Sequence, residues 1–262
     1  MCSEKNNNQN EPLIQVRDLV AHYGERLVLN EVSLEVPKGE IFVVIGGSGC
    51  GKTTLLKHMT GLLKPTSGNV LYSGTDITTM DEDQLSDVQR HIGIAFQSGA
   101  LFNSLTVGEN VALPMREYTD MKEDLIQAMV LLKLRLVGLS SAKDLLPAEL
   151  SGGMKKRAGL ARAVALDPPI VYFDEPSAGL DPIMASGLDD LILDLKKLLG
   201  ITFIIVTHEL ESIKKIADHV LMLDGGKAVF TGTVEEAMHS RNERVRQFFE
   251  RRPDEHIMQY NP

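Results

Sequence analysis

One run of eight residues limits this chain more than any other: Gly46-Gly47-Ser48-Gly49-Cys50-Gly51-Lys52-Thr53, which fits G-x-x-x-x-G-K-[ST]. It lies between the apolar run Ile41 to Ile45 and a segment carrying Leu55, Leu56, Met59 and Leu62 at helical spacing. Glycines at these positions let the backbone aim its N–H groups at phosphate oxygens. A helix starting near Lys52 directs the positive end of its dipole at the same anion. Lys52 then reaches the β- and γ-phosphates, the Thr53 hydroxyl is placed to ligate Mg²⁺, and Thr54 completes the phosphate-binding stretch. A strand, a loop and a helix of this kind commit the chain to an α/β fold. They do not choose among kinases, GTPases and motors.

The rest of the pattern extends that fold. Val16 to Tyr23 and Val32 to Val36 read as early strands, with turns at Gly24-Glu25 and at Pro37-Lys38-Gly39-Glu40. Further strands are predicted at Ile92 to Phe96, Ile170 to Phe173, Thr202 to Val206 and Val220 to Leu223. Helical spacing runs through Leu188 to Leu199 and Glu209 to Ile216, and strands alternating with helices imply a mostly parallel sheet covered on both faces. Asp224-Gly225-Gly226 reads as a hairpin turn into Ala228 to Phe230, which adds a small antiparallel part. From about 98 to 155 helical spacing dominates, with Leu125, Ile126, Met129, Leu132 and Leu136, so an inserted helical subdomain is predicted there. The expected organisation is a polar tail over 1–11, a core over 12–240 and a C-terminal extension over 241–262.

Composition narrows the function classes. With 43% hydrophobic and 24% charged residues, the 262-residue chain is ordinary for a globular protein, and no apolar run approaches a membrane span. Met1 to Glu11 is Asn-rich and lacks a secretion signal. The two cysteines, Cys2 and Cys50, make no disulfide framework, so a cytosolic setting or the cytosolic face of a membrane is expected. A formal charge of −9 argues against nucleic acid as a partner. The stretch Arg241 to Arg252 carries Glu243 and Glu250 among its arginines, and reads as a solvated helix face or a contact with a partner subunit.

Two further features carry chemistry. Ile170 to Phe173 ends in Asp174-Glu175, where the first carboxylate can help hold Mg²⁺ and the second can act as general base on a water. The alternative is a solvated turn before Pro176. Thr207-His208 follows the apolar run ending at Val206, and a histidine there can donate to a γ-phosphate.

Taken in order, the phosphate loop, Gln97, Leu150-Ser151-Gly152-Gly153-Met154, Asp174-Glu175, Ser177-Ala178-Gly179-Leu180-Asp181 and His208 resemble the ABC transporter ATPases over residues 13 to 240. The Leu-Ser-Gly-Gly run, just ahead of a helix predicted over Lys155 to Leu166, discriminates most. In that family it binds the γ-phosphate of ATP held by the other subunit of a head-to-tail dimer. The resemblance implies a P-loop (RecA-like) core that binds ATP and Mg²⁺, with a second copy and an integral membrane permease as partners. By the same resemblance Tyr23 stacks on adenine, Gln97 senses Mg²⁺ and the attacking water, and Asp181 organises the facing subunit. Lys52, Gln97, Glu175 and His208 serve catalysis, with Thr53, Gln97 and Asp174 around the metal. The family commonly has Gln where this chain has Met154.

Met154, together with Phe96 to Phe102 and Val107 to Pro114, is similar to the lipid-transport branch that includes the Mla and mammalian-cell-entry-type systems. Arg244 to Phe249 resembles a C-terminal extension that contacts the partner ATPase in that branch. The branch implies a peripheral place on the cytoplasmic face of the inner membrane, a small regulatory subunit and a periplasmic lipid-binding protein. The segment 98 to 117 is expected to couple the motor to the permease. The rival readings are an ATPase for a small solute and a soluble ABC protein outside transport.

Overall fold

The computed structural model describes residues 12–252. The tail 1–11 with Cys2, and residues 253–262 of the expected C-terminal extension, lie outside the described residues. Strands β1 (Ile14–Tyr23) and β2 (Arg26–Val36) pair across the Gly24-Glu25 turn. After β3 (Ile41–Gly46) and helix α1 (Lys52–Met59) come β4 (Ser67–Tyr72) and β5 (Thr75–Asp76). Together β2-β1-β4-β5 form a four-stranded antiparallel sheet.

Helix α2 (Glu82–Gln89) and β6 (Ile92–Ala95) lead into three helices, α3 (Val107–Tyr118), α4 (Glu123–Leu136) and α5 (Gly152–Ala163). The chain then alternates through β7 (Ile170–Asp174), α6 (Pro182–Leu199), β8 (Thr202–Val206), α7 (Leu210–Ile216) and β9 (His219–Asp224). It closes with β10 (Lys227–Thr233), α8 (Val234–Met238) and α9 (Glu243–Phe249). The second sheet has the order β10-β9-β3-β8-β7-β6, parallel except for β10. At the β9–β10 turn Gly225 and Gly226 both hold positive φ, 54° and 79°, which is what a two-residue primed hairpin turn requires.

All six residues of β3 and all five of β8 are buried, as expected for strands covered on both faces. Phe42, Val44, Tyr172 and Ile204 pack towards the antiparallel sheet and α1. Val43, Ile45, Val171, Phe173 and Ile205 pack towards α5, α6 and α7. Each such side chain contributes about 2 kcal/mol when buried, against about 1 kcal/mol for a helix cap, so the strands set the frame and the caps trim it.

The inserted helices have their own apolar cluster, built from Val107, Val111, Met115, Ile126, Val130 and Leu134. Helix α5 belongs to both bodies: Ala158 and Ala161 face that cluster, while Leu160 and Ala163 face the sheet. It starts at Gly152, three residues before the predicted Lys155, because Ser151 caps it. The Arg-rich segment is anchored by apolar contacts. Val245 is buried, and Phe248 and Phe249, edge to face at 5.6 Å, pack against the sheet's second cluster. Arg246 and Arg252 pair with Glu243 and Glu250 on its exposed side, contacts that contribute little to stability.

Candidate functional site

Parallel strands place their C-terminal ends on one edge, so the segments after β3, β6, β7 and β8 converge there. The phosphate loop follows β3. Gly46 has φ 147°, and a Cβ there would lie 2.2 Å from the carbonyl oxygen of Leu223 and 2.7 Å from Cys50 Sγ. Gly51, with φ 108°, is the N-cap of α1, and a side chain there would meet Leu29. Both positions therefore demand glycine. Lys52 Nζ donates to the carbonyls of Gly46 and Gly47 at 2.9 Å each, bending the long side chain back over the loop. Cys50 is buried beneath the loop, which pushes its thiol pKa up.

A groove of about 300 Å³ is lined by Tyr23, Arg26, Val28, Gly49, Gly51, Lys52, Thr53 and Thr54. Tyr23, at the end of β1, is 50% exposed and thus stands beside the phosphate loop with its ring available for stacking.

Asp174 ends β7 and Glu175 follows it. Burial, and then the neighbouring Glu175 charge, raise the Asp174 pKa, while Lys52, Lys156 and Lys57 oppose the rise. Two adjoining carboxylates, the first partly buried, with an exposed threonine at the start of α1, suit a divalent cation that takes its remaining ligands from phosphate. Among the described residues no cluster of three or more His, Cys, Asp or Glu forms a metal site within the protein itself. Thr53, Asp174 and Gln97 could hold such a cation only with the nucleotide's help.

Glu175 has φ 48°, rare for a residue with a side chain. Its N–H donates to the Val206 carbonyl at 2.8 Å, and its Oε1 lies 2.9 Å from His208 Nδ1. Its other oxygen, Oε2, is buried without a hydrogen-bond partner. A carboxylate oriented through one oxygen and unpartnered at the other keeps one oxygen able to accept a proton. His208 itself is exposed at the mouth of β8. Gln97 is exposed in the turn after β6, with Gly99 N–H donating back to the Phe96 carbonyl at 2.8 Å.

The downstream loop is fastened to α5. Arg162 donates to the carbonyls of Ala100 and Gly99 at 2.8 and 3.2 Å, and its guanidinium lies 5.9 Å from the Phe102 ring centroid.

Ser151, Gly152, Gly153 and Asp181 do not line the phosphate-loop groove. They form a second group. Ser151 accepts from Met154 N–H at 3.3 Å, and Asp181 caps α6 by accepting from Ile183 and Met184 at 3.0 Å each. Gly153 packs where a Cβ would come within 2.6 Å of Met184 Cε, and Leu180 lies across both glycines. Exposed Ser151 and Gly152 thus open a helix N-terminus outward, towards a ligand the chain does not itself surround.

Residue-pattern reasoning missed Lys156. It sits in α5, is 5% exposed, and its Nζ donates to the Glu175 carbonyl at 2.8 Å. Burial lowers its pKa, against the pull of Glu175 and Asp174. No sequence signal separates it from the solvated lysines around it.

Residues 29–178, more than half the chain, match the family described as ABC transporter. The chain belongs to the ABC transporter ATP-binding family. As an ABC protein it is similar to the intermembrane phospholipid transport system ATP-binding protein MlaF of Haemophilus influenzae, at 43% identity over 94% of this chain and 93% of that one. MlaF of Escherichia coli is 42% identical over 91% of this chain and 88% of its own length. Among solved structures, a dimeric ATP-binding cassette in a post-hydrolysis state, bound to ADP and Pi, shares 29% identity with a TM-score of 0.78. That match covers 84% of this chain and 98% of the cassette. The fold is the α/β cassette of ABC ATPases, and the chain is an ATP-hydrolysing enzyme of a transport system. Among the described residues no helix is long and apolar enough to cross a membrane.

Proposed function

We propose that this ABC ATPase powers phospholipid transport between membranes, working as a head-to-tail pair beside a membrane permease on the cytoplasmic face of the inner membrane. The likeness to MlaF over nearly the whole chain carries the choice of cargo. A small regulatory subunit and a periplasmic lipid-binding protein complete the proposed assembly, whose lipid traffic maintains the asymmetry of the outer membrane.

In this reading Tyr23 stacks on adenine and the loop Gly46 to Thr54 wraps the phosphates. Lys52 leaves the loop carbonyls for the β- and γ-phosphates. Thr53, Asp174 and Gln97 hold Mg²⁺, which when bound supplies charge neutralisation on the phosphate oxygens. Glu175 accepts the proton of the attacking water through Oε2, while His208 fixes Oε1 and reaches the γ-phosphate. The Ser151 segment and Asp181 face the partner copy, whose ATP they close over. Binding closes the pair, and hydrolysis and release reopen it. The loop after Gln97, held on α5 by Arg162, passes that motion to the permease.

Glu175→Gln should leave ATP binding intact and slow turnover roughly 10²- to 10⁴-fold, the range for losing general-base help. Normal turnover by the purified complex of this variant would refute the assignment. The cargo is tested by pulling the tagged chain from native membranes in mild detergent, with protein and lipid mass spectrometry. Co-recovery of a multi-spanning permease, a lipid-binding partner and phospholipid supports the reading. A permease with a small-solute binding protein keeps the motor and overturns the cargo, and ATPase activity with no membrane protein overturns transport.

A further inference from the structure

Helix α5 touches three parts of the molecule along its length. Ser151 caps its exposed start, Lys156 lies less than two turns further in, and Arg162 near its end grips the loop after Gln97. Lys156 has no place in the chemistry described so far, yet it is a buried ammonium aimed at the residue that activates water. The Glu175 carbonyl accepts from Lys156 Nζ at 2.8 Å and from Ala178 N–H at 3.3 Å. With φ at 48°, the Glu175 backbone sits in a region that ordinary residues leave unless neighbours hold them there. Its N–H is held by β8 and its carbonyl by α5.

We infer that Lys156 is a positioning residue for hydrolysis: it fixes the Glu175 backbone, and with it the direction of the Glu175 carboxylate, to the helix that presents Ser151. The inference rests on the reading that Glu175 is the general base and that Ser151 contacts the partner's ATP. In such a pair the link runs between two sites. ATP on the partner's loop seats the Ser151 end of α5, and Lys156 carries that placement to the base of its own chain. One rigid helix serves both ends, so no separate relay is needed.

A purely structural lysine makes the opposite prediction. Replacing the buried ammonium with an apolar side chain removes its desolvation cost but also takes one donor from the Glu175 carbonyl, which keeps only the Ala178 N–H. Melting temperature therefore does not separate the two views in Lys156→Met, and activity does. In the full-length chain purified with its membrane partners, positioning requires kcat to fall about tenfold, the scale of one lost hydrogen bond from a charged donor. ATP affinity should stay within about twofold, because Lys156 does not line the nucleotide groove. Lys156→Arg, which keeps the charge and the donors, should recover most of the rate.

Unchanged kcat in Lys156→Met overturns the inference, as does a joint loss of kcat and affinity that arginine does not rescue. If the methionine variant fails to fold, Lys156→Gln and Lys156→Arg decide. Arginine near wild type with glutamine several-fold slower at unchanged affinity supports positioning. Glutamine at the wild-type rate, or failure of all three to fold, overturns it. Glu175→Gln runs beside them: if that variant turns over normally, the general-base reading has failed. If it is slow while Lys156→Met is normal, only the role of Lys156 has failed.

Discussion

The phosphate loop and the Ser151 segment both offer backbone N–H groups and a helix N-terminus to an anion, yet they are built differently. The loop is braced at its two ends within its own chain, while Gly47, Ser48 and Gly49 between them are exposed. Gly46 lies against Leu223, Gly51 against Leu29, and Lys52 spans two loop carbonyls. The Ser151 segment is braced from behind only, by Leu180 and Met184, and its serine and first glycine are exposed. A loop fastened at both ends, with its helix and lysine, can hold a phosphate by itself; on the proposed reading the open helix start contributes the other half of a site. On the proposed head-to-tail reading, this contrast is the reason the catalytic unit takes two copies.

The largest effect should come from the closed side. Lys52→Ala removes the ammonium proposed to meet the phosphates, together with the brace across the Gly46 and Gly47 carbonyls. Nucleotide affinity of the isolated chain, measured by calorimetry, should weaken roughly 10- to 100-fold, the scale of one or two charge-assisted hydrogen bonds. An affinity within twofold of wild type would mean that the cradle does not depend on its lysine.

Ser151→Ala should act on the open side alone. In the isolated chain the change costs about 1 kcal/mol of helix capping, read as a small drop in melting temperature, with ATP affinity unchanged. In the assembled pair turnover should fall about five- to tenfold, because a hydroxyl is missing from the partner's phosphate. If the isolated chain lost nucleotide affinity as steeply as Lys52→Ala, the distinction between a complete and a half site would collapse.

How much of this could be read from residues alone follows the same division. Strands β3, β7 and β8 are nearly continuous apolar runs, so their ends, and with them the loop, Asp174-Glu175 and His208, stood out. Strand β4 did not. In Ser67-Gly-Asn-Val-Leu-Tyr72 the side chain of Val70 is buried while its neighbours are partly or wholly exposed, and a half-covered strand with a glycine carries little periodic signal. Strand β2 begins at Arg26, six residues before the predicted Val32: exposed Arg26 and Leu27 are held by pairing with Tyr23 and His22 of β1, and Leu29 is the one residue of the strand before Val32 that is buried. Lys156 escaped for a related reason. A lysine in a helix reads as solvated until the packing of α5 against the end of β7 is known. The second role of α5, bracing the loop after Gln97, likewise depends on Gly99 and Gly159 meeting across a gap of sixty residues of sequence, where a Cβ on Gly159 would lie 3.0 Å from Gly99.

Met154 gives the smallest effect and the finest test of the contrast. It stands where the family commonly has glutamine, directly after the two glycines, and a reader of the sequence would suspect that it alters phosphate binding. The structure divides the residue in two. Its N–H donates to Ser151 Oγ at 3.3 Å and belongs to the cap, whereas its side chain packs against the cluster of the inserted helices. Any residue but proline supplies the N–H at this position, so the phosphate side of the segment is indifferent to the side chain. Met154→Gln should leave ATP turnover of the assembled complex within about twofold, and should cost about 1 kcal/mol or less through the partly buried amide. A change of tenfold or more, in either direction, would put the side chain in contact with the partner's nucleotide. The exposed face of the Ser151 segment would then extend one residue further than Ser151 and the glycines.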